Sequence, residues 1–330
     1  MYDVVLLTLG SGRDEAPGCG GGDACCGSAP EDGRGCGDTP RVPVLTCADA
    51  LTARGARVET VTAHSDAEID KVLSRLDGPA RADGLDWPEA DGKTRLVVAT
   101  ASDGQLRAVL RRLVRRYAPP PSRRPAELAA NRTMPDLPPI GLLPLDPART
   151  AGAGSPSDLA GQLGLPRDPV EVAEAVLDDR VRRLDLLRND GGSVTLDGAL
   201  LGGADENDRP LAWRGRVEVD DAVLSTGDDP LMACVVGNAG GYAALSGLAL
   251  LSAPDPADGL IDVAVAVPVV TRSGLGRRRV RLEVRRARGR AVSVTPRDSG
   301  LPYLDDGVAG ELSRKRSWWI EPGAWAVFTR

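Results

Sequence analysis

Leu96-Val97-Val98-Ala99-Thr100-Ala101-Ser102-Asp103-Gly104-Gln105-Leu106, running straight into residues 107–117, is the stretch that decides the fold. Its first part is a β-branched apolar run, the pattern of a buried parallel strand. Small and turn-forming residues follow through Gly104. Apolar residues then recur at Leu106, Val109, Leu110, Leu113, Val114 and Tyr117, which is helical spacing. Arg107, Arg111, Arg112, Arg115 and Arg116 fall mostly on the other side. A strand, a small-residue turn and a helix together aim free backbone N–H groups at an anion. Many α/β proteins carry such a turn with nothing bound to it.

Working outward, residues 2–8 read as a first strand and 57–62 as a second. A helix over 47–54 is led in by Val44-Leu45-Thr46, with Thr46 as its N-cap. Ser65-Asp66 caps another helix, whose stripe is Ile69, Val72, Leu73 and Leu76. Residues 140–145 form a further strand. The order β, α, β, α, β, α, β predicts a parallel sheet with flanking helices. Past Thr150 one helix, opened by Asp168-Pro169, precedes a long series of strands at 183–188, 193–201, 213–219, 231–236, 260–267, 278–284 and 291–295, with last pieces at 318–320 and 324–329. The expected organisation is an α/β domain over 1–148, interrupted by a Gly/Cys-rich insert over 10–46, then an all-β sandwich over 149–330. The last residues are candidates to return to the first domain.

With 330 residues the chain is long enough for two cores, and its net charge of −6 argues against a general nucleic-acid partner. No apolar run approaches the ~18 residues of a membrane span, and Met1-Tyr2-Asp3 does not open a signal peptide. The expectation is a cytoplasmic protein that would meet a lipid peripherally, at the membrane surface. Five of the six cysteines lie between Cys19 and Cys47, which in a reducing compartment does not read as a disulfide framework. Cys19, Cys25, Cys26 and Cys36 sit in a Gly-rich loop that could wrap a soft metal or a small iron–sulfur cluster. They lack a Cys-x2-Cys knuckle, and free thiols are the alternative. His64 is the only histidine.

Three segments together resemble the diacylglycerol kinase catalytic-domain family, which includes bacterial lipid kinases and sphingosine kinases and shares its fold with NAD kinases. The most specific is Val235-Val236-Gly237-Asn238 followed by Ala253-Pro254-Asp255-Pro256-Ala257-Asp258-Gly259-Leu260-Ile261-Asp262-Val263. Leu165-Pro166-Arg167-Asp168-Pro169 and Arg182-Arg183-Leu184-Asp185-Leu186 match a second family segment, and residues 98–106 stand where the family has its Gly-Gly-Asp-Gly-Thr nucleotide loop. The resemblance implies an α/β domain plus a β-sandwich, ATP in the cleft between them, and Mg²⁺-dependent transfer of the γ-phosphoryl group to a lipid hydroxyl, diacylglycerol being the default acceptor. It implies Asp306 as the base. It also implies that Thr62, Ala101, Ser102, Asp103, Gly104, Gln105, Leu106 and Arg107 touch nucleotide. Asp255, Asp258 and Leu260 match a place where some members hold a structural Mg²⁺.

The chain departs from this pattern at phosphate-facing positions. Ala101 and Ser102 replace two glycines, Gln105 replaces a threonine, and Pro144-Leu145-Asp146-Pro147 replaces Pro-Leu-Gly-Thr. A Cβ obstructs close approach of phosphate to backbone, Pro147 lacks an N–H, and Asp146 adds negative charge. The family's Asp-Gly-Glu is here Asp306-Gly307-Val308, and Asp305-Asp306-Gly307 is equally a turn signal. Two readings follow: a lipid kinase, or a catalytically degenerate relative that binds a nucleotide or other ligand, or senses metal or redox state.

Overall fold

The computed structural model describes residues 2–10, 41–89, 92–146, 158–206, 209–245, 247–272, 278–298 and 300–330; Cys19, Cys25, Cys26 and Cys36 lie outside them. The first part alternates β1 (Asp3–Leu9), α1 (Arg41–Ala53), β2 (Arg57–Ala63), α2 (Asp66–Leu73), β3 (Thr94–Thr100), α3 (Asp103–Tyr117) and β4 (Ile140–Pro144), then α4 (Leu159–Gln162) and α5 (Pro169–Leu177). Strands follow: β5 (Val181–Asn189), β6 (Val194–Thr195), β7 (Gly198–Leu201), β8 (Gly215–Val219), β9 (Ala222–Thr226) and β10 (Ala233–Gly237). After the small hairpin β11 (Ala244–Leu245) and β12 (Leu248–Ala249) come β13 (Ile261–Arg272), β14 (Arg278–Gly289), β15 (Ala291–Pro296), β16 (Leu301–Asp305), β17 (Val308–Leu312) and β18 (Arg316–Phe328).

β2, β1, β3 and β4 are parallel neighbours, as the sequence predicts. β18 lies beside β4 and carries the sheet on through β15, β8 and β9, with β5 also paired to β18. A second sheet has the order β14-β13-β10-β7-β16-β17. One core lies between the first sheet and α2 and α3, where Leu106, Leu110, Leu113 and Met134 are fully buried. Its other face packs α1 and α5 through Val44, Leu51, Val172 and Val176. Between the two sheets Trp318, Val217, Val236 and Val263 form the sandwich core.

Four local expectations change. α1 begins at Arg41, inside the stretch read as insert, and Thr46 is no N-cap: its hydroxyl donates to Val42 O at 2.9 Å within the helix. The buried stripe Val44, Cys47, Leu51 already has helical spacing, and Pro43 sits in the first turn, where proline is tolerated. The strand read over 193–201 is two strands, parted at Leu196-Asp197, because the amides there are drawn to a side chain rather than a neighbouring strand. The two terminal pieces are one strand, β18, irregular between Glu321 and Trp325, where Pro322-Gly323 falls and Gly323 adopts φ +58°. Finally, β9, β16 and β17 are strands the sequence reading lacked; Pro302 and Asp305 depress the strand propensity of β16.

The Pro-rich connection between α3 and β4 is clamped to β18 by a buried carboxylate. Glu321 is wholly buried and accepts from Thr133 N at 2.8 Å, the Thr133 hydroxyl, and Trp319 Nε1 at 3.2 Å, with Arg188 Nη1 at 3.4 Å. Among the described residues no helix is long and apolar enough to cross a membrane.

Candidate functional site

The parallel strands end together, and their carboxyl edge is where ligands bind in open α/β sheets. Thr62 is exposed at this edge, its hydroxyl 2.8 Å from that of Thr8. Thr8 in turn pairs with Ala99, so Thr62 stands two strands, about 10 Å, from the turn that follows β3.

That turn is closed on itself. Ser102 is the N-cap of α3, and its Oγ accepts from Gln105 N at 3.4 Å. The Gln105 side chain folds back so that its Oε1 accepts from Ala101 N at 2.8 Å. Asp103 turns to α4, accepting from Leu159 N at 3.1 Å. Leu106 is buried in the core, so no side chain of its own reaches the cleft. A β-carbon built on Gly104 would lie 2.6 Å from Val308 Cγ2, so a methyl group covers this face of the turn.

Val308 opens β17, and the turn before it brings Asp305, Asp306 and Gly307 against the start of α3. Arg107 spans the gap: its guanidinium donates to Asp305 O, lies 3.5 Å from the Asp305 carboxylate, and donates to Ser193 Oγ at 3.3 Å. Asp306 (φ +50°) and Gly307 (φ +78°) both take the left-handed conformation of a tight hairpin turn. This conformation turns the Asp306 carboxylate inward. Leu196 N donates to Oδ2 at 2.9 Å; Asp197 N and Gly198 N donate to Oδ1 at 2.9 and 3.2 Å. Those are the amides that part β6 from β7.

Burial, and then the neighbouring Asp305, push the Asp306 carboxyl well above the usual carboxylate range, against the three amides that favour its charge. Asp305 is raised by burial too, opposed by Arg107 and by the Thr195 hydroxyl, which donates to it at 2.7 Å. Two further residues belong to this cluster and were missed. Asp197 accepts from Gly241 N at 2.9 Å and Gln162 Nε2 at 3.0 Å, and burial lifts it to about 6. Tyr242 is buried, and its hydroxyl accepts from Gly307 N at 2.8 Å. A sequence signal exists for Asp197: Asp197-Gly198 interrupts the alternation of a strand. Nothing marked Tyr242.

Beside the turn, Ala101, Asp103, Pro144, Asp146, Asp158 and Arg167 line a small cleft that is open to solvent. Arg167 bonds the Asp158 carboxylate and approaches Asp146 O at 3.5 Å. Carboxylates outnumber cations on this described rim. Two of the turn amides, those of Ala101 and Gln105, are taken by the Gln105 and Ser102 side chains, and the Val308 methyl covers Gly104, which makes this a poor seat for a triphosphate.

Asp255, Asp258 and Leu260 precede β13, at the same end of the second sheet as Asp306 but three strands, about 14 Å, away. Asp255 accepts from Ala257 N at 3.1 Å and Asp258 from Leu260 N at 3.0 Å, as turn residues do. The other Asp258 oxygen takes the Arg288 guanidinium, which also lies 3.0 Å from Asp262. Arg288 supplies the positive charge a cation would bring, so this donor set does not fit Mg²⁺. Among the described residues no three His, Cys, Asp or Glu side chains converge as a ligand set. Cys47 and Cys234 are buried free thiols pushed up to about 12 by burial, which leaves them un-ionised and unreactive at neutral pH.

The architecture, an α/β layer joined through a shared sheet to an antiparallel sandwich, is that of bacterial diacylglycerol kinases. A solved diacylglycerol kinase from Bacillus anthracis Sterne superposes on 100% of this chain and 97% of its own, with a TM-score of 0.59 at 14% identity. Two more structures from that organism, each described only as a candidate diacylglycerol kinase, give TM-scores of 0.60 at 13% identity over 100% of this chain and 98% and 97% of theirs. Identity this low establishes the fold. No family model matches the chain, and no curated protein does.

Proposed function

We propose that this chain is a divergent relative built on the lipid-kinase fold, one that has given up phosphoryl transfer and uses its cleft to bind a ligand. The observation that carries this reading is that the amide seat at the start of α3 is partly occupied from within, by Gln105 on the Ala101 N–H and by the Val308 methyl over Gly104. Transfer of a γ-phosphoryl group depends almost entirely on positioning phosphates and neutralising their charge. It also needs a base within hydrogen-bond reach of the acceptor hydroxyl. Both oxygens of Asp306 face the amides of 196–198 instead.

A second reading, an ATP- and Mg²⁺-dependent kinase acting on diacylglycerol or a similar lipid hydroxyl at a membrane surface, draws support from one contact. Arg107 holds the turns of residues 101–107 and 305–307 together across 198 residues of sequence. That reading requires Gln105 to leave the Ala101 amide and Asp306 to leave its three donors.

Equilibrium binding of labelled ATP with Mg²⁺ to the full chain separates the two. The proposal expects no saturable binding up to millimolar ATP. Micromolar binding, strengthened by Gln105→Ala, would favour the kinase.

A further inference from the structure

At the end of the sandwich away from the cleft, the two sheets border a recess of about 210 Å³. One sheet contributes the residues before β8 and at the end of β15, the other those after β7 and at the start of β16. Trp213 and Leu301 are buried and form its base, while Leu211, Pro296 and Pro302 supply apolar walls. Leu211 is 53% exposed, a large apolar side chain beside a space it does not fill. The indole N–H of Trp213 has no acceptor among the described residues, which is uncommon for a buried indole. The chain's own groups leave this end of the sandwich incomplete.

Backbone bonds fix the walls, so the recess is preformed. Gly202 N donates to Pro302 O at 2.9 Å, and Leu211 N to Gly203 O at 2.8 Å. Trp213 N donates to Leu231 O at 2.9 Å, and Arg297 N to Arg214 O at 2.9 Å. An apolar cavity of about 150 Å³ is enough to hold benzene. The recess therefore has room for a branched aliphatic or aromatic side chain.

Two opposite charges stand at its rim. Arg214 and Asp298 both line the recess and are exposed, and the Arg297–Arg214 backbone bond sets them close together. They do not pair with each other. The Arg214 guanidinium donates to Asp228 O at 2.7 Å, and the Asp298 carboxylate accepts no hydrogen bond among the described residues. A ligand that matches these features has an apolar body with a carboxylate and an ammonium group at one end.

We propose that the recess binds a free apolar α-amino acid: its side chain rests against Trp213 and Leu301, its carboxylate meets Arg214 and its ammonium group meets Asp298. A guanidinium engages a carboxylate through two parallel N–H bonds, and a carboxylate is the natural acceptor for an ammonium group. The site is separate from the cleft. Leu301 begins β16, and Asp305 at the other end of that strand borders the cleft about 14 Å away. The inference is independent of what the cleft binds.

Equilibrium dialysis of the full chain against labelled L-phenylalanine and L-leucine tests this. Saturable binding of one ligand per chain is expected. Phenethylamine, which lacks the carboxylate, and hydrocinnamate, which lacks the ammonium group, should each bind at least tenfold more weakly. Arg214→Ala and Asp298→Asn should each weaken amino-acid binding about tenfold. Leu211→Asp should abolish it, and Val42→Asp, on exposed α1, should leave it unchanged. No saturable binding up to millimolar amino acid would overturn the inference. So would phenethylamine or hydrocinnamate binding as tightly as phenylalanine, or binding that survives both charge substitutions, since the recess would then take any apolar molecule.

Discussion

Val308 closes on Gly104: a β-carbon at Gly104 would lie 2.6 Å from a methyl group of Val308, and Asp306 O only 3.6 Å away. The start of α3, where this kind of turn presents amides to an anion, is thus in van der Waals contact with the turn between β16 and β17. The contact is apolar where the kinase family has a carboxylate.

A double-mutant cycle should expose that contact. Gly104→Ala forces Val308 aside and should cost about 1 kcal/mol, the lower end for overpacking, because Val308 is part-exposed. In a Val308→Ala background the same change should be neutral or stabilise by up to about 1 kcal/mol, since alanine is the better helix former. Urea midpoints of the four proteins measure the coupling; additive effects would mean the two turns are not in contact.

Asp197 predicts an acid-side gain in stability. Its folded value is about 6, against 3.8 for a free aspartate, so between about pH 4 and pH 6 the folded state holds a proton that the unfolded state has lost. Stability from this group is therefore greatest below about pH 4 and falls as pH rises to about 6, by roughly 3 kcal/mol at 1.36 kcal/mol per unit. Asp197→Asn removes the dependence. The wild-type minus variant difference in unfolding free energy should shrink across that window and stay flat above it; parallel curves would contradict the burial of Asp197.

Glu321 should be among the costliest single substitutions. Replacing it with alanine leaves Thr133 N without its acceptor and Arg188 without its carboxylate, and breaking a buried pair costs about 3–5 kcal/mol. Denaturant unfolding of Glu321→Ala checks the size. Early proteolysis within residues 118–139 checks the place.

Much of the fold was legible because its signals are local. The run at 96–100, the stripe of α3, and the Ser65 and Asp168 caps each name their element within a few residues. The site was legible as positions and not as chemistry. Residues 101–107 and 305–307 do meet, but that Gln105 would occupy the Ala101 amide, or Asp306 turn inward, depends on contacts between turns far apart in sequence. The strand break at Leu196-Asp197 is the same case: only the distant Asp306 carboxylate explains why those amides leave the ladder.

The most direct measurement is phosphoryl transfer from labelled ATP, with Mg²⁺, into vesicles containing diacylglycerol, using the full chain beside Asp306→Asn, which keeps the left-handed conformation accessible. With both proteins folded by near-ultraviolet circular dichroism, the account predicts no labelled phosphatidic acid above background from either. Labelled product from the wild type that disappears in Asp306→Asn would contradict it, and would mean that the carboxylate leaves the amides of 196–198 to act as a base.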